Sequence, residues 1–189
     1  MAVRTQRPAE VARAIFEAIG KKHLDDAFAY LADDAVDDFV AIGRFEGKVA
    51  IRRFFDELFV AFPTFEMTVE RIVGDDTSAV VQWRATGDFT GGQFQGVEPT
   101  GRHVEIRGVD VMEITDGAVR HNTIYYDGAA FARQIGMLPA AGTSMDRAVL
   151  SAFNAVTRLR KRSARTGNNR GKGEDNSTDN SKGNGTTNQ

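Results

Sequence analysis

The hydrophobic period of the chain changes once, at Pro63, and this change limits the folds open to it. Residues 48–62 carry apolar side chains at helical spacing, which predicts a helix that Pro63 ends. After Pro63 the period is two, which predicts strands over residues 65–73, 78–89, 103–114 and 118–126. Helices followed by a run of antiparallel strands indicate an α+β domain, with helices packed on one face of a curved sheet.

Shorter elements are predicted on either side of this pattern. A first helix begins at Pro8, a second ends at residues 32–34, and residues 35–42 are predicted to form a short strand. A short helix over residues 128–135 closes the domain. Residues 1–142 therefore form one globular domain in this prediction.

The C-terminal part of the chain has a different composition. Residues 143–162 predict a basic amphipathic helix, and residues 163–189 predict a disordered polar tail because they contain almost nothing to bury. From Arg158 onward the net charge is +5, whereas the rest of the chain carries −7. The basic residues could touch anionic lipid or nucleic acid, and the alternative is a solubilising extension.

The composition excludes several kinds of site. The chain has no cysteine, which excludes disulfides, thiolate nucleophiles and zinc–thiolate sites, and its three histidines lack a paired ligand spacing, so no metal is expected. It has neither a phosphate-binding glycine loop before a helix nor a dinucleotide fingerprint, so no cofactor is implied. Without a secretory signal or an apolar run of about 20 residues, a cytoplasmic protein with no membrane span is expected. The acidic main domain argues against nucleic-acid binding.

Asp110 is the exceptional polar residue of the strand pattern. Residues 105–114 alternate in polarity, so successive side chains point to opposite faces. The other residues on the face of Asp110 are Ile106, Gly108, Met112 and Ile114. A carboxylate removed from water without a partner is costly, and its pKa usually rises. Asp110 is therefore either used for proton chemistry or held by hydrogen bonds that fix the sheet.

The register of the hairpin between the last two strands decides which residues face Asp110. A two-residue loop would place Thr123 opposite Asp110, with the other odd-numbered residues of that strand on the same face. A three-residue loop with a bulge at Gly117 would place Asn122 opposite it, with Ile124 and Tyr126 on that face. The alternation alone leaves both registers open.

Short motifs follow one another in a fixed order along the second half of the chain: Phe94 to Gly96, Pro99 to Arg102, Asp116-Gly117 and Gln134 to Gly136. Together with LADDAVDDF and FEGKVAIRRFF in the N-terminal part, this order resembles the SnoaL-like polyketide cyclases and ester cyclases of the nuclear-transport-factor-2-like superfamily. The resemblance covers residues 8–139. It implies a cone-shaped, curved antiparallel sheet with N-terminal helices that enclose a pocket, often in a homodimer, and a glycine-rich flap over residues 87–101.

The resemblance also implies roles for particular residues. It favours the register in which Ile124 faces the pocket, because family members place an acid/base residue at that position, where isoleucine cannot move a proton. Position 110 corresponds to the histidine partner in the cyclases and to the oxyanion-hole carboxylic acid of ketosteroid isomerases. Those isomerases place their general base near Asp38, which is the second catalytic candidate. Their tyrosine would fall near Ile15.

Four further residues are candidates for binding a substrate. Asn122 and Tyr126 would donate hydrogen bonds, although the pattern favours a packed aromatic role for Tyr126. Trp83 and Phe89 are expected to form pocket walls, since ligand cavities are mostly apolar with few polar groups.

Two functions follow from these residues. The first is acid–base chemistry on an apolar, carbonyl-bearing small molecule, of the polyketide cyclase or ketosteroid isomerase type, with Asp110 as the main group. The second is a non-catalytic ligand-binding module of the same fold, which the isoleucine at position 124 supports.

Overall fold

The computed structural model describes residues 6–170, with side chains as far as Lys161. The chain divides into two units between residues 141 and 142. The elements of the first unit are α1 (Pro8–Gly20), α2 (Leu24–Phe28), β1 (Leu31–Phe39), β2 (Gly43–Glu46), α3 (Gly47–Ala61), β3 (Glu66–Gly74), β4 (Ser78–Asp88), β5 (His103–Thr115), β6 (Ala118–Tyr126) and α4 (Gly128–Gln134). The second unit contains α5 (Ser144–Arg170).

The six strands form one curved, unclosed sheet in the order β2-β1-β6-β5-β4-β3. The α+β architecture and the four strands after Pro63 are confirmed. One pair differs from the antiparallel sheet that was predicted, since β1 lies parallel to β6. The physical reason is that β1 comes from the N-terminal part and is separated from β6 by α3 and four other strands. A hairpin therefore does not join the two.

The helices cover one face of the sheet with their apolar sides. On α1, Val11, Ile15 and Ile19 recur every four residues and are buried, and Pro8 begins the helix. On α3, Ile51 and Phe54 are buried, and the helix ends at Ala61 just before Pro63. The space between these helices and the sheet forms the core.

The N-terminal boundaries differ from the prediction. The helix α2 ends at Phe28, and residues 31–34 belong to β1 instead of closing that helix. The strand β2 was not predicted at all. Pairing of β1 with both β2 and β6 outweighs the local helical pattern around Leu31, which is an interaction between distant parts of the chain.

The hairpin between β5 and β6 has a register that combines the two alternatives. Its loop has two residues, Asp116 and Gly117, whose φ angles of 53° and 77° suit the type I′ turn of a tight hairpin. The pairing then shifts by one residue between Glu113 and Ile114, so that Ile124 lies directly opposite Asp110. The face with Asn122, Ile124 and Tyr126 is therefore the one that the resemblance favoured, but Asn122 lies opposite Met112. The predicted bulge at Gly117 was wrong, because the irregularity comes after the turn.

The second unit contains the long helix α5. Its helix begins at Ser144 and continues to Arg170, so residues 163–170 are helical where disorder was predicted. The rest of the predicted tail, residues 171–189, lies outside the described residues. Between residues 6 and 170, no helix is long and apolar enough to cross a membrane.

Candidate active site

A largely apolar cavity lies between the helices and the inner face of the sheet. Phenylalanine, isoleucine, leucine and methionine side chains form most of its wall. Its polar lining consists of Asp37, Trp83, Asp110, Asn122 and Tyr126. The cavity volume is about 110 Å³, which is below the roughly 300–1,000 Å³ of pockets for drug-sized ligands. A compact molecule therefore suits this cavity as it stands.

Asp110 lies in the cavity wall with both carboxylate oxygens bound. The indole Nε1 of Trp83 donates to Oδ1 at 2.7 Å, and the amide Nδ2 of Asn122 donates to Oδ2 at 2.9 Å. The side chain is buried, with 6% of the residue exposed. Burial raises the pKa of Asp110 to about 6, although both hydrogen bonds act to lower it. Desolvation is therefore the stronger influence on this carboxyl.

The position of the Trp83 indole depends on a glycine in the neighbouring strand. Trp83 in β4 lies opposite Gly108 in β5. A Cβ atom at position 108 would lie 2.3 Å from Cζ2 of the indole. The ring therefore lies flat over the glycine, which lets its N–H reach Asp110 two residues further along the strand.

Asp37 is a second buried carboxyl in the same cavity. It lies in β1 between Ala35 and Phe39, which share its face of the strand and are buried like it. Burial is the largest cause that raises the pKa of Asp37 to about 7, and the negative charge of Asp110 raises it further. A hydrogen bond from Asn122 acts in the opposite direction.

Asn122 connects the two carboxyls. It lies opposite Asp37 in the parallel pair of β1 and β6, and it also donates to Asp110. Its Oδ1 atom is buried and has no hydrogen-bond donor among the described residues. The amide therefore offers an acceptor beside the two acids, which a protonated carboxyl or a ligand hydroxyl could use.

Five of the seven residues proposed from the sequence lie together in the cavity wall: Asp110, Trp83, Asn122, Ile124 and Tyr126. Ile124 is almost fully buried directly opposite Asp110. Burial raises the pKa of Tyr126, which keeps its phenol protonated and able to donate. Ile15, near which the isomerase tyrosine would fall, also lines the cavity.

The structure places two other candidates away from the cavity. Asp38 is not among the lining residues, because successive residues of β1 point to opposite faces and Asp37 takes the inward position. Phe89 is fully buried but stacks on Phe62, with 5.0 Å between ring centroids, and Phe94 lines the cavity instead.

Asp37 was missed, although the sequence contains a signal for it. If Phe39 points into the core, alternation brings Asp37 onto the same face. Asp127, in contrast, is the N-cap of α4, and its Oδ1 accepts from the backbone N–H of Ala130 at 2.8 Å. Within residues 6–170, no three His, Asp or Glu side chains are grouped as ligands of a metal ion.

The family model of the SnoaL-like polyketide cyclases matches residues 9–135. The chain belongs to this family. No curated protein matches the chain closely enough to add a relative.

Solved structures agree with this assignment. A proposed SnoaL-like polyketide cyclase from Jannaschia sp. CCS1 is 25% identical, with a TM-score of 0.64 over 74% of this chain and 98% of that one. IdmH of Streptomyces antibioticus, a proposed polyketide cyclase, is 22% identical, with a TM-score of 0.59 over 69% and 99%. AclR of Streptomyces galilaeus, a proposed hydroxylase, is 20% identical, with a TM-score of 0.60 over 69% and 96%. The last two show the fold alone, and their different names leave the chemistry to be argued from this cavity.

Proposed function

We propose that this SnoaL-like protein transfers a proton at the carbon next to a carbonyl group of a compact, mostly apolar molecule. One observation carries the proposal: two buried carboxyls, Asp37 and Asp110, line one apolar cavity and have pKa values raised to about 7 and about 6. A general base works best when its pKa is close to the pH of the reaction. Asp37 therefore takes the role for which the sequence suggested Asp38.

The two carboxyls have different roles in this proposal. Asp110 accepts hydrogen bonds at both oxygens, which favours its ionised form. Its negative charge keeps Asp37 basic, and Asp37 removes the proton from the substrate carbon. The electron pair of the broken C–H bond moves onto the carbonyl oxygen, where the Tyr126 hydroxyl can donate to the developing enolate.

Two outcomes of the enolate are compatible with the same residues. Asp37 can return the proton to another carbon, which is an isomerisation. Alternatively, the enolate carbon can attack a second carbonyl group of the same molecule, which closes a ring, and Asp37 then gives its proton to the new alkoxide. Isomerisation and ring closure both require the same proton transfer by Asp37, so the cavity residues favour neither reaction over the other.

The proposal can be tested without knowledge of the natural substrate. A small enolisable ketone such as 2-tetralone is incubated with the protein in D₂O, and deuterium uptake next to the carbonyl is followed by NMR. Catalysed uptake is expected for the wild type, with a loss of about 100-fold or more in Asp37→Asn and Asp110→Asn. Asp38→Asn is the matched control and should leave uptake unchanged. Full activity in either cavity variant would refute the role given to that residue.

A binding module without chemistry is the second candidate. Ile124 favours it, because an isoleucine that cannot exchange a proton lies directly opposite Asp110. In that case 2-tetralone would perturb the Trp83 fluorescence while no deuterium uptake is catalysed. Binding of the same strength in Asp110→Asn would support this function over the enzyme.

The homodimer expected from the resemblance is also a proposal. The outer face of β5 and β6 carries Val109, Val111 and Tyr125, and half of the Tyr125 surface is exposed. Burial of these side chains against a second copy would cover apolar area. Light scattering of the wild type and of Tyr125→Glu tests this, and a monomeric wild type would refute it.

A further inference from the structure

The helix α5 presents apolar side chains that remain exposed. Val149, Phe153 and Val156 follow one another at intervals of four and three residues, which places them on one side of the helix. Met145 and Leu159 extend this side in both directions. All five are exposed, and Phe153 exposes 68% of its surface. We call these five residues the apolar face of α5.

The opposite side of α5 is polar and basic. Helical spacing places Arg147, Asn154, Arg158 and Lys161 on it. Over its whole length, residues 144–170, the helix contains seven Lys and Arg and a single acidic residue, Asp146. Its net charge is therefore +6, whereas residues 1–141 carry −7. The positive charge is thus concentrated on the element with the exposed apolar face.

The composition of α5 argues against pairing with a second copy of the helix. Positions that could form a coiled-coil seam run from Met145 to Leu159, about two heptads, whereas sustained coiled coils need three or four. Alanine at position 152 contributes little to such a seam. Parallel pairing would also place two strongly basic C-terminal halves side by side, which is unfavourable.

Nucleic acid would contact only the polar, basic side of the helix. Phosphates would neutralise the basic side chains, but the side with Phe153 would still face water. An anionic lipid surface can contact both sides of the helix, because the acyl region accepts the apolar face and the headgroups attract the positive charge.

We propose that α5 binds in the plane of an anionic lipid surface, with the apolar face inserted and the basic residues near the headgroups. The proposal uses none of the residues that line the cavity, so it is independent of the acid–base function. The lipid supplies negative charge and acyl chains, and no lipid of a particular headgroup is required.

Vesicle sedimentation with the full chain tests the proposal. Vesicles of 70% phosphatidylcholine and 30% phosphatidylglycerol should bind the protein at least tenfold more strongly than pure phosphatidylcholine, and the difference should shrink at 0.5 M salt because charge is screened. Val156→Asp on the apolar face should reduce binding at least tenfold. Asn154→Asp makes the same change in charge on the polar side and should reduce it about twofold or less. Circular dichroism checks that both variants keep the helix.

Several results would overturn the proposal. One is equal binding to the two vesicle types, or none to either. Another is an equal loss in Val156→Asp and Asn154→Asp, since charge alone would then explain the effect. Binding to single-stranded DNA without binding to vesicles would assign the basic side to nucleic acid. Concentration-dependent self-association that Val156→Asp abolishes, or a lower melting temperature of this variant without vesicle binding by the wild type, would show that protein covers the apolar face.

Discussion

Two aspartates of the same sheet show how differently burial and hydrogen bonding act on a carboxyl. Asp75, in the turn between β3 and β4, is exposed, and its Oδ1 accepts from the backbone N–H groups of Thr77 and Ser78 at 2.9 and 2.8 Å and from both hydroxyl groups. These bonds lower the pKa of Asp75 to about 2. Asp110 also accepts hydrogen bonds, yet its pKa is raised to about 6. Hydrogen bonds therefore determine the pKa of the carboxyl at the surface, whereas desolvation determines it in the cavity.

The same contrast distinguishes a structural carboxyl from one suited to proton transfer. A pKa of about 2 leaves Asp75 ionised throughout the physiological range, so it can only accept hydrogen bonds. Asp37 and Asp110 titrate near neutral pH, where a small change of environment changes their proton occupancy. Burial in the cavity therefore gives Asp37 and Asp110 pKa values suited to proton transfer but destabilises their ionised forms. The hydrogen bonds of the turn stabilise ionised Asp75, which cannot exchange a proton near neutral pH.

The largest expected effect is a fall in stability as pH rises. The folded-state pKa of Asp37, about 7, lies above its ordinary value of 3.8. The folded chain therefore binds more protons than the unfolded chain between about pH 4 and pH 7. The contribution of this group to the free energy of unfolding should be complete below about pH 4 and fall by up to about 4 kcal/mol towards pH 7, since one pKa unit corresponds to about 1.4 kcal/mol.

Urea unfolding across this pH range, in the wild type and Asp37→Asn, measures the effect. The amide variant should lose the part of the slope that extends above about pH 6, because it has no proton to exchange there, while Asp110 still titrates with a pKa raised to about 6. Asp38→Asn is the neighbouring control and should keep the slope. An unchanged slope in Asp37→Asn would show that the carboxyl is not protonated on folding.

The next effect concerns the glycine beneath the indole. Gly108→Ala adds a methyl group 2.3 Å from the Trp83 ring, so the indole must move. Overpacking of this kind costs about 1–3 kcal/mol. Denaturant unfolding should show this loss, together with a shift in the Trp83 emission, whereas the exposed neighbour Arg107→Ala should change stability by about 0.5 kcal/mol or less. A fully stable Gly108→Ala variant with wild-type emission would contradict the packing described.

A loss of similar size is expected when only the indole N–H is removed. Trp83→Phe keeps an aromatic ring but leaves Oδ1 of Asp110 without its donor, at a cost of about 1–3 kcal/mol. In the wild type this bond stabilises the charged form of Asp110, so its removal should raise the pKa of Asp110 further. The loss of stability should therefore be greater at pH 8, where the carboxyl is charged, than at pH 5. Equal losses at both pH values would mean that the bond does not act on the charge.

The sequence alone predicted those features of the site around Asp110 that depend on local pattern. Period-two alternation identified Asp110 as a charge on an apolar face, and Asp116-Gly117 located the hairpin that brings β6 beside it. The four strands after Pro63 and the family follow from the same alternation and from the order of the motifs.

Other parts depend on contacts between distant residues. Asp37 became part of the site because β1 pairs in parallel with β6, and the sequence pattern placed the start of this strand within a helix. The bulge after the turn made Ile124, rather than Asn122, the residue opposite Asp110. The Trp83 hydrogen bond requires the space above Gly108, which becomes visible only once the two strands are aligned.

The smallest effect is expected at the surface carboxyl, and its sign should be opposite. Because the pKa of Asp75 is lowered, its stabilising contribution is present above about pH 4 and lost as the pH falls towards 2. Asp75→Ala should therefore be slightly less stable than the wild type at neutral pH and equal to it near pH 2. Its slope between pH 4 and pH 7, and its deuterium uptake with 2-tetralone, should match the wild type. A change in that slope would mean that carboxyls outside the cavity contribute to the titration, and the assignment of the slope to Asp37 and Asp110 would then fail.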